Sequence, residues 1–139
     1  MNDVKKLYEQ MLPDGGFILD HERSIIEENQ YCYALSSERG EGYFWYYFYE
    51  DMFVIEKQDF FFYDEFFLES PEPDFISVQY FFSVSGEEFH PYRQLSPNSL
   101  RVYVGGNGKT FQAVYHKNIP IRSISISICL LYTSEAADD

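Results

Sequence analysis

Seven aromatic residues in unbroken succession, Tyr43, Phe44, Trp45, Tyr46, Tyr47, Phe48 and Tyr49, set the strongest constraint on what this chain can become. Bulky rings favour extended backbone, where successive side chains point to opposite faces. Such a strand carries rings on both faces, so both must be covered or one must look into a cavity. The chain as a whole holds 14 Phe, 13 Tyr and 1 Trp among 139 residues. That excludes a disordered segment and points to one domain with an ordinary core. Charge excludes another class. Ten basic and 23 acidic side chains give a net charge of −13, whereas a nucleic-acid surface needs clustered Lys and Arg. No apolar run reaches the length of a bilayer-spanning helix, and no leader pattern opens the chain, so a cytoplasmic location is expected.

Periodicity divides the chain in two. Val4, Leu7, Tyr8 and Met11 recur at helical spacing, with Asn2 or Asp3 as cap, so residues 1–13 hold a short helix ended by a Pro13-Asp14-Gly15-Gly16 turn. The period then becomes two. Strands are expected at 17–19, 31–35, 43–49, 52–56, 60–63, 76–85, 100–104, 111–116 and 121–128. Residues 86–98 read as the longest irregular stretch, and Gly105-Gly106-Asn107-Gly108 as a hairpin turn joining its two neighbours. Ile76, Val78, Tyr80, Phe82 and Val84 share one face. Ile124, Ile126 and Ile128 alternate with Ser123, Ser125 and Ser127, and Arg122 falls at the rim of the isoleucine face. Eight or nine short strands with regular turns describe a mainly β sandwich, jelly roll or barrel.

Most constellations that carry chemistry are absent. His21, His90 and His116 are isolated, no His-x-His pair exists, and no metal or cofactor is expected. No nucleophile motif is present, and Cys32, between Tyr31 and Tyr33, reads as a packed thiol. The glycines at 105–108 precede Lys109-Thr110, but the spacing of a phosphate loop is not met, since Tyr103 stands where its first glycine belongs. Acidic runs such as 38–41 and Glu87-Glu88 read as solvated loops. The tyrosines are the informative feature, because each buried hydroxyl needs a partner. Tyr43, Trp45, Tyr47, Tyr80, Tyr103 and Tyr115 lie on strands. With Phe82, and with Arg101, His116 and Arg122 at its mouth, such a set suits a pocket for a polyhydroxylated or aromatic small molecule.

The segments Val84-Ser85-Gly86-Glu87-Glu88 and Pro91-Tyr92-Arg93-Gln94-Leu95-Ser96, with Tyr115-His116-Lys117-Asn118-Ile119-Pro120-Ile121-Arg122-Ser123-Ile124, resemble the amino-terminal sensing domain of AraC-type transcription regulators. The similarity runs over much of residues 14–128. The resemblance implies a cupin-like jelly roll that binds a small-molecule effector, with a sugar as one candidate. DNA contact would lie in a carboxy-terminal helix-turn-helix domain absent from this chain, and a homodimer is open to the intact protein. The nine pocket candidates are then Tyr43, Trp45, Tyr47, Tyr80, Phe82, Arg101, Tyr103, His116 and Arg122. A cupin-like enzyme acting on a sugar without a metal, and a stand-alone carbohydrate-binding module, are the alternatives. Residues 129–134 and 136–139 resemble a translated sequencing adapter, so 129–139 is expected to be an artefactual tail that belongs to no fold.

Overall fold

A computed structural model describes residues 2–50, 52–71, 74–106, 108 and 110–129. The sequence predicted to be an adapter-derived tail lies outside these, apart from Cys129. Among the described residues one α-helix, α1 (Asn2–Asp14), precedes eleven strands, with a 3-10 turn at Ile26–Glu28 between the first two. These are β1 (Phe17–Leu19), β2 (Gln30–Leu35), β3 (Gly40–Tyr49), β4 (Phe53–Phe62), β5 (Phe66–Pro71) and β6 (Phe75–Ser83). They continue as β7 (Gly86–Phe89), β8 (Arg93–Leu95), β9 (Ser99–Val104), β10 (Thr110–Tyr115) and β11 (Ile121–Cys129). The expected class holds: two antiparallel sheets make a mainly β sandwich of jelly-roll type, with no closed barrel. One sheet has seven strands in the order β1-β2-β3-β4-β11-β6-β9, and the other four in the order β5-β10-β7-β8.

Several elements differ from the sequence reading, each for a physical reason. The two short strands expected around Lys57-Gln58-Asp59 are one ten-residue strand, β4. Lys57 and Asp59 point outward, so charge there does not interrupt the ladder. The stretch 86–98 is not irregular but holds β7 and β8, paired on each other. Glu88 is accordingly buried rather than solvated. The glycines after β9 form no hairpin, because β9 and β10 belong to different sheets. That loop crosses the sandwich instead. Gly106 sits at φ 101°, where a side chain would collide with the Asp74 carboxylate, so glycine is required by close approach.

Aromatic packing gathers at one end of the sandwich. Phe44, Tyr46 and Phe48 on β3 point inward and meet Tyr31, Tyr33, Phe60, Phe62 and Phe17, all buried. Tyr46 lies at the centre. It stacks on Tyr8 of α1 at 4.6 Å and on Tyr31 at 4.9 Å, and meets Phe48 edge-on at 5.2 Å. These are the offset and T-shaped geometries that the ring quadrupole favours. The apolar stripe of α1 thus closes this end of the core through Tyr8 and Leu12.

The opposite face of β3 looks neither into a core nor into a cavity. Tyr43, Trp45 and Tyr47 lie outward and half-buried, with Arg23 over the Tyr43 ring and Lys57 over that of Trp45. The same parity runs across four more strands. Tyr47, Ile55, Ile126, Val78 and Val102 form one cross-strand row. Tyr49, Phe53, Ile128, Ile76 and Val104 form the next. Trp45, Lys57, Ile124, Tyr80 and Leu100 form the third. The isoleucine face of β11 is therefore the outer face, and Ser123, Ser125 and Ser127 are buried. Arg122 is at the margin as expected, paired with Asp59 at 3.3 Å. The register shift between β6 and β11 lies at Arg122/Ser123, and beyond it Val84 is buried although Phe82 is exposed.

The Tyr46 hydroxyl is buried and meets no hydrogen-bond partner among the described residues. Tyr46→Phe is expected to be neutral or to raise unfolding free energy by up to about 1 kcal/mol, since an unpaired buried hydroxyl is removed. Tyr46→Ala is expected to cost about 3–5 kcal/mol. Urea unfolding of the two variants checks both figures, and a loss beyond 1 kcal/mol in Tyr46→Phe would refute an unpaired hydroxyl.

Candidate functional site

At the other end of the sandwich the two sheets do not close on each other. A cavity of about 200 Å³ lies between them. A cavity of ~150 Å³ is already large enough to take benzene, so this one has room for a ring-sized molecule. Its floor is built from β4, β6 and β11, whose inward positions there are polar: Glu56 and Gln58, Ser77 and Gln79, Ser125 and Ser127. The second sheet supplies Leu68, Ser70, Phe111 and Tyr115. Tyr103 comes from β9, and Leu7, Tyr8 and Met11 come from α1.

The polar groups around the cavity bond one another in separate small sets. The Ser77 and Ser127 hydroxyls are 2.7 Å apart, and Gln79 donates to Ser123 at 3.0 Å. Glu56 accepts hydrogen bonds from Ser125, at 3.2 Å, and from the Tyr8 hydroxyl. The Tyr103 hydroxyl donates to Glu88, the buried carboxylate of β7. Burial pushes the Glu56 carboxyl up to about 7, and the hydrogen bond from Ser125 opposes this. Burial also pushes the Tyr103 and Tyr115 phenols well up, so both remain hydroxyl donors at neutral pH. The buried Cys32 thiol, also raised by burial to about 11, is far from this chemistry and is a packed, unreactive thiol.

Of the nine residues expected at a pocket, only Tyr103 lines this cavity. Tyr43, Trp45, Tyr47, Tyr80 and Phe82 lie on the outer face of the large sheet. Arg122 is there too, 60 % exposed and paired with Asp59. Arg101 reaches the Gln94 carbonyl at 2.5 Å, and His116 bonds Ser85 at 2.7 Å. Neither touches the cavity. The residues missed are Tyr8, Glu56, Gln58, Ser77, Gln79, Ser125 and Ser127. For Ser77, Gln79, Ser125 and Ser127 the signal was the polar half of an alternating strand, which is read as solvent-facing by default; Glu56 and Gln58 stand in the unbroken polar run 56–59, and Tyr8 in the apolar stripe of the helix. Among the described residues no cluster of His, Cys, Asp and Glu could hold a metal ion. No protein-family model and no curated protein matches the chain.

The raised Glu56 carboxyl has a consequence for stability. A carboxyl of ordinary value in the unfolded chain, about 4.3, binds its proton more tightly when folded. Between those two values the native state holds more protons, so stability falls as pH rises from about 4.5 to 7 and is level above. With allowance for water in the cavity, the loss is about 1–3 kcal/mol. Glu56→Gln is expected to abolish this slope. It should match the parent near pH 4.5 and exceed it at pH 8. Parallel slopes in the two proteins would show that Glu56 titrates normally.

Proposed function

We propose that this domain senses a small uncharged polar molecule, such as a sugar or polyol, as the effector-binding part of an AraC-type regulator. The observation that carries the reading is the inverted polarity of β4, β6 and β11, which turns serine, glutamine and glutamate side chains into a cavity. A core wanting only volume would place the isoleucines there. Tyrosine rings at Tyr8, Tyr103 and Tyr115 add stacking faces and oriented hydroxyls. No Lys, Arg or His lines the cavity among the described residues, and Glu56 does. An anionic ligand such as a phosphate ester would meet no cation there, and above about pH 7 a carboxylate as well.

Regulation on this reading is a population shift, in which the effector binds one arrangement of the domain better than another. Tyr8 connects the two ends of the molecule. It bonds Glu56 in the cavity and stacks on Tyr46 in the aromatic core. Occupancy of the cavity is thereby coupled to the seating of α1.

Glu56 also supports a second reading. A carboxyl near neutrality in a cavity is suited to general acid–base work on a sugar without a metal. Turnover of any sugar by the purified chain, lost in Glu56→Gln, would favour the enzyme.

Calorimetry with a panel of neutral monosaccharides and polyols, their phosphate esters and free phosphate tests the sensing reading. At least one neutral compound is expected to bind, its phosphate ester at least tenfold more weakly. Ser127→Leu, which fills the floor, is expected to abolish binding. Preference for the phosphate ester, or binding untouched by Ser127→Leu, would refute it.

A further inference from the structure

Beside the polar cavity lies a second one, of about 100 Å³, on the side toward the aromatic end of the sandwich. Met11, Glu56, Gln58, Leu68 and Tyr115 line both, so the two adjoin across these residues. The rest of the second wall is apolar: Leu12, Gly15 and the rings of Phe17, Phe44, Phe60, Phe62 and Phe66. We propose that this chamber is an apolar subsite, which takes an alkyl substituent of about four carbons on the molecule held in the polar cavity. The ligand class is then a hydroxylated molecule carrying one short alkyl or acyl chain, such as an alkyl glycoside. The proposal deepens the sensing reading and rests on it for the polar part of the ligand alone.

Three observations select that occupant. The first is the void itself. Packed interiors hold few spaces larger than a water molecule. The walls here are close-packed: Phe17 meets Phe60 edge-on at 4.8 Å, and Phe62 stacks on Phe66 at 4.5 Å. Phe17, Phe44, Phe60 and Phe62 are buried. A mere flaw of packing could be closed by a larger side chain, and Gly15 stands on the wall without needing to be glycine. A Cβ there would meet the Leu12 carbonyl and the Phe17 ring at 3.5 Å, an ordinary contact, and its backbone lies outside the left-handed region. The chamber stays open where the fold has the means to fill it.

The second observation is size. A cavity of ~150 Å³ walled by Leu, Ile and Phe stays dry and takes benzene, a molecule of six carbons. In proportion, about 100 Å³ takes about four carbons. That is too little for an aromatic ring and enough for a butyl group. Water does not compete for so apolar a space. Each methylene that leaves water for it improves binding about fourfold.

The third is the order of the groups along the two cavities. The serines of β6 and β11 stand on one side of the junction, and rings and aliphatic chains on the other. Between them are the Glu56 carboxyl, the Gln58 amide and the Tyr115 hydroxyl. A molecule that fills both spaces is hydroxylated at one end and apolar at the other. The ether or ester oxygen that joins its two parts then lies beside the Gln58 amide and the Tyr115 hydroxyl, both donors. An unsubstituted sugar leaves the chamber empty, and a long lipid chain exceeds it.

Straight-chain alcohols from methanol to octanol probe the chamber alone, read by NMR on the methyl groups of Met11, Leu12 and Leu68 of the full chain. Affinity is expected to rise about fourfold per methylene as far as about four carbons and to level off beyond. Methyl, butyl and octyl glucoside carry the test to both cavities together. Butyl glucoside is expected to bind at least about tenfold more tightly than methyl glucoside, and octyl glucoside to gain nothing further. Gly15→Leu is expected to remove the gain from butyl and to leave methyl glucoside binding unchanged. Phe66→Trp serves the same purpose should Gly15→Leu lose its fold by circular dichroism. Methyl signals unmoved by butanol overturn the subsite. So does affinity that climbs without a break to octanol, or a butyl preference that survives the filled variants. Glucosides that fail to bind while the alcohols keep their break would count against the sugar-sensing reading and for the subsite.

Discussion

Strand β11 is hydrogen-bonded on both sides, to β4 along Ile121–Ile128 and to β6 along Arg122–Cys129, and the rest of the structure depends on that placement. It is the last of the described strands and yet sits inside the seven-stranded sheet. Its neighbours fix which of its two faces turns inward. Phe60 and Val54 on β4 and Phe81 on β6 are buried, and antiparallel register then puts Ile121, Ser123, Ser125 and Ser127 on the same side. A slip of one residue would send the isoleucines in and the serines out. The cavity floor would lose the β11 serines to isoleucines, and the outer face its central isoleucines to serines.

The sandwich is thus divided along its length. One end is dry and aromatic, with α1, β1, β2 and the inner face of β3 supplying rings that stack around Tyr46. The other end is polar and open, with hydroxyl and amide groups that bond each other in pairs. A buried polar network is stable only when its members are satisfied, and the serine and glutamine bonds of β6 and β11 meet that condition. Glu56 is the exception in kind, a carboxyl inside the sandwich whose neighbours are hydroxyl donors and not a cation. Its proton is therefore retained to near neutrality, and the charge of the cavity changes in the pH range where cells operate.

The class of the fold was legible because period-two alternation and regular turns are local properties. The parity of β11 and β6 was legible for the same reason: Ser and Ile do occupy opposite faces. Which face is inside was not, since alternation defines two sides and leaves their environment to the partner strands. The usual assignment of apolar residues to the core failed at Ile124, Ile126, Ile128, Ile76 and Val78, and it hid the cavity with it. The aromatic run of β3 shows the same limit, because Phe44, Tyr46 and Phe48 are core while Trp45 and Tyr47 are outer surface. Glu88 was missed because a carboxylate reads as solvated unless its partner is known, and Tyr103 is fifteen residues away on another sheet.

Sequences specify a fold when local patterning and burial agree, and departures from that agreement concentrate at sites of function. Here the two departures are one event seen from both sides of a sheet. Turning Ser77, Gln79, Ser125 and Ser127 inward forgoes apolar burial at the floor of the cavity. It also forces Ile76, Val78, Ile124, Ile126 and Ile128 outward, where water is a poor environment for them. Both departures lie in the same three strands, β4, β6 and β11, whose backbone carries the polar floor on one side and the apolar outer face on the other.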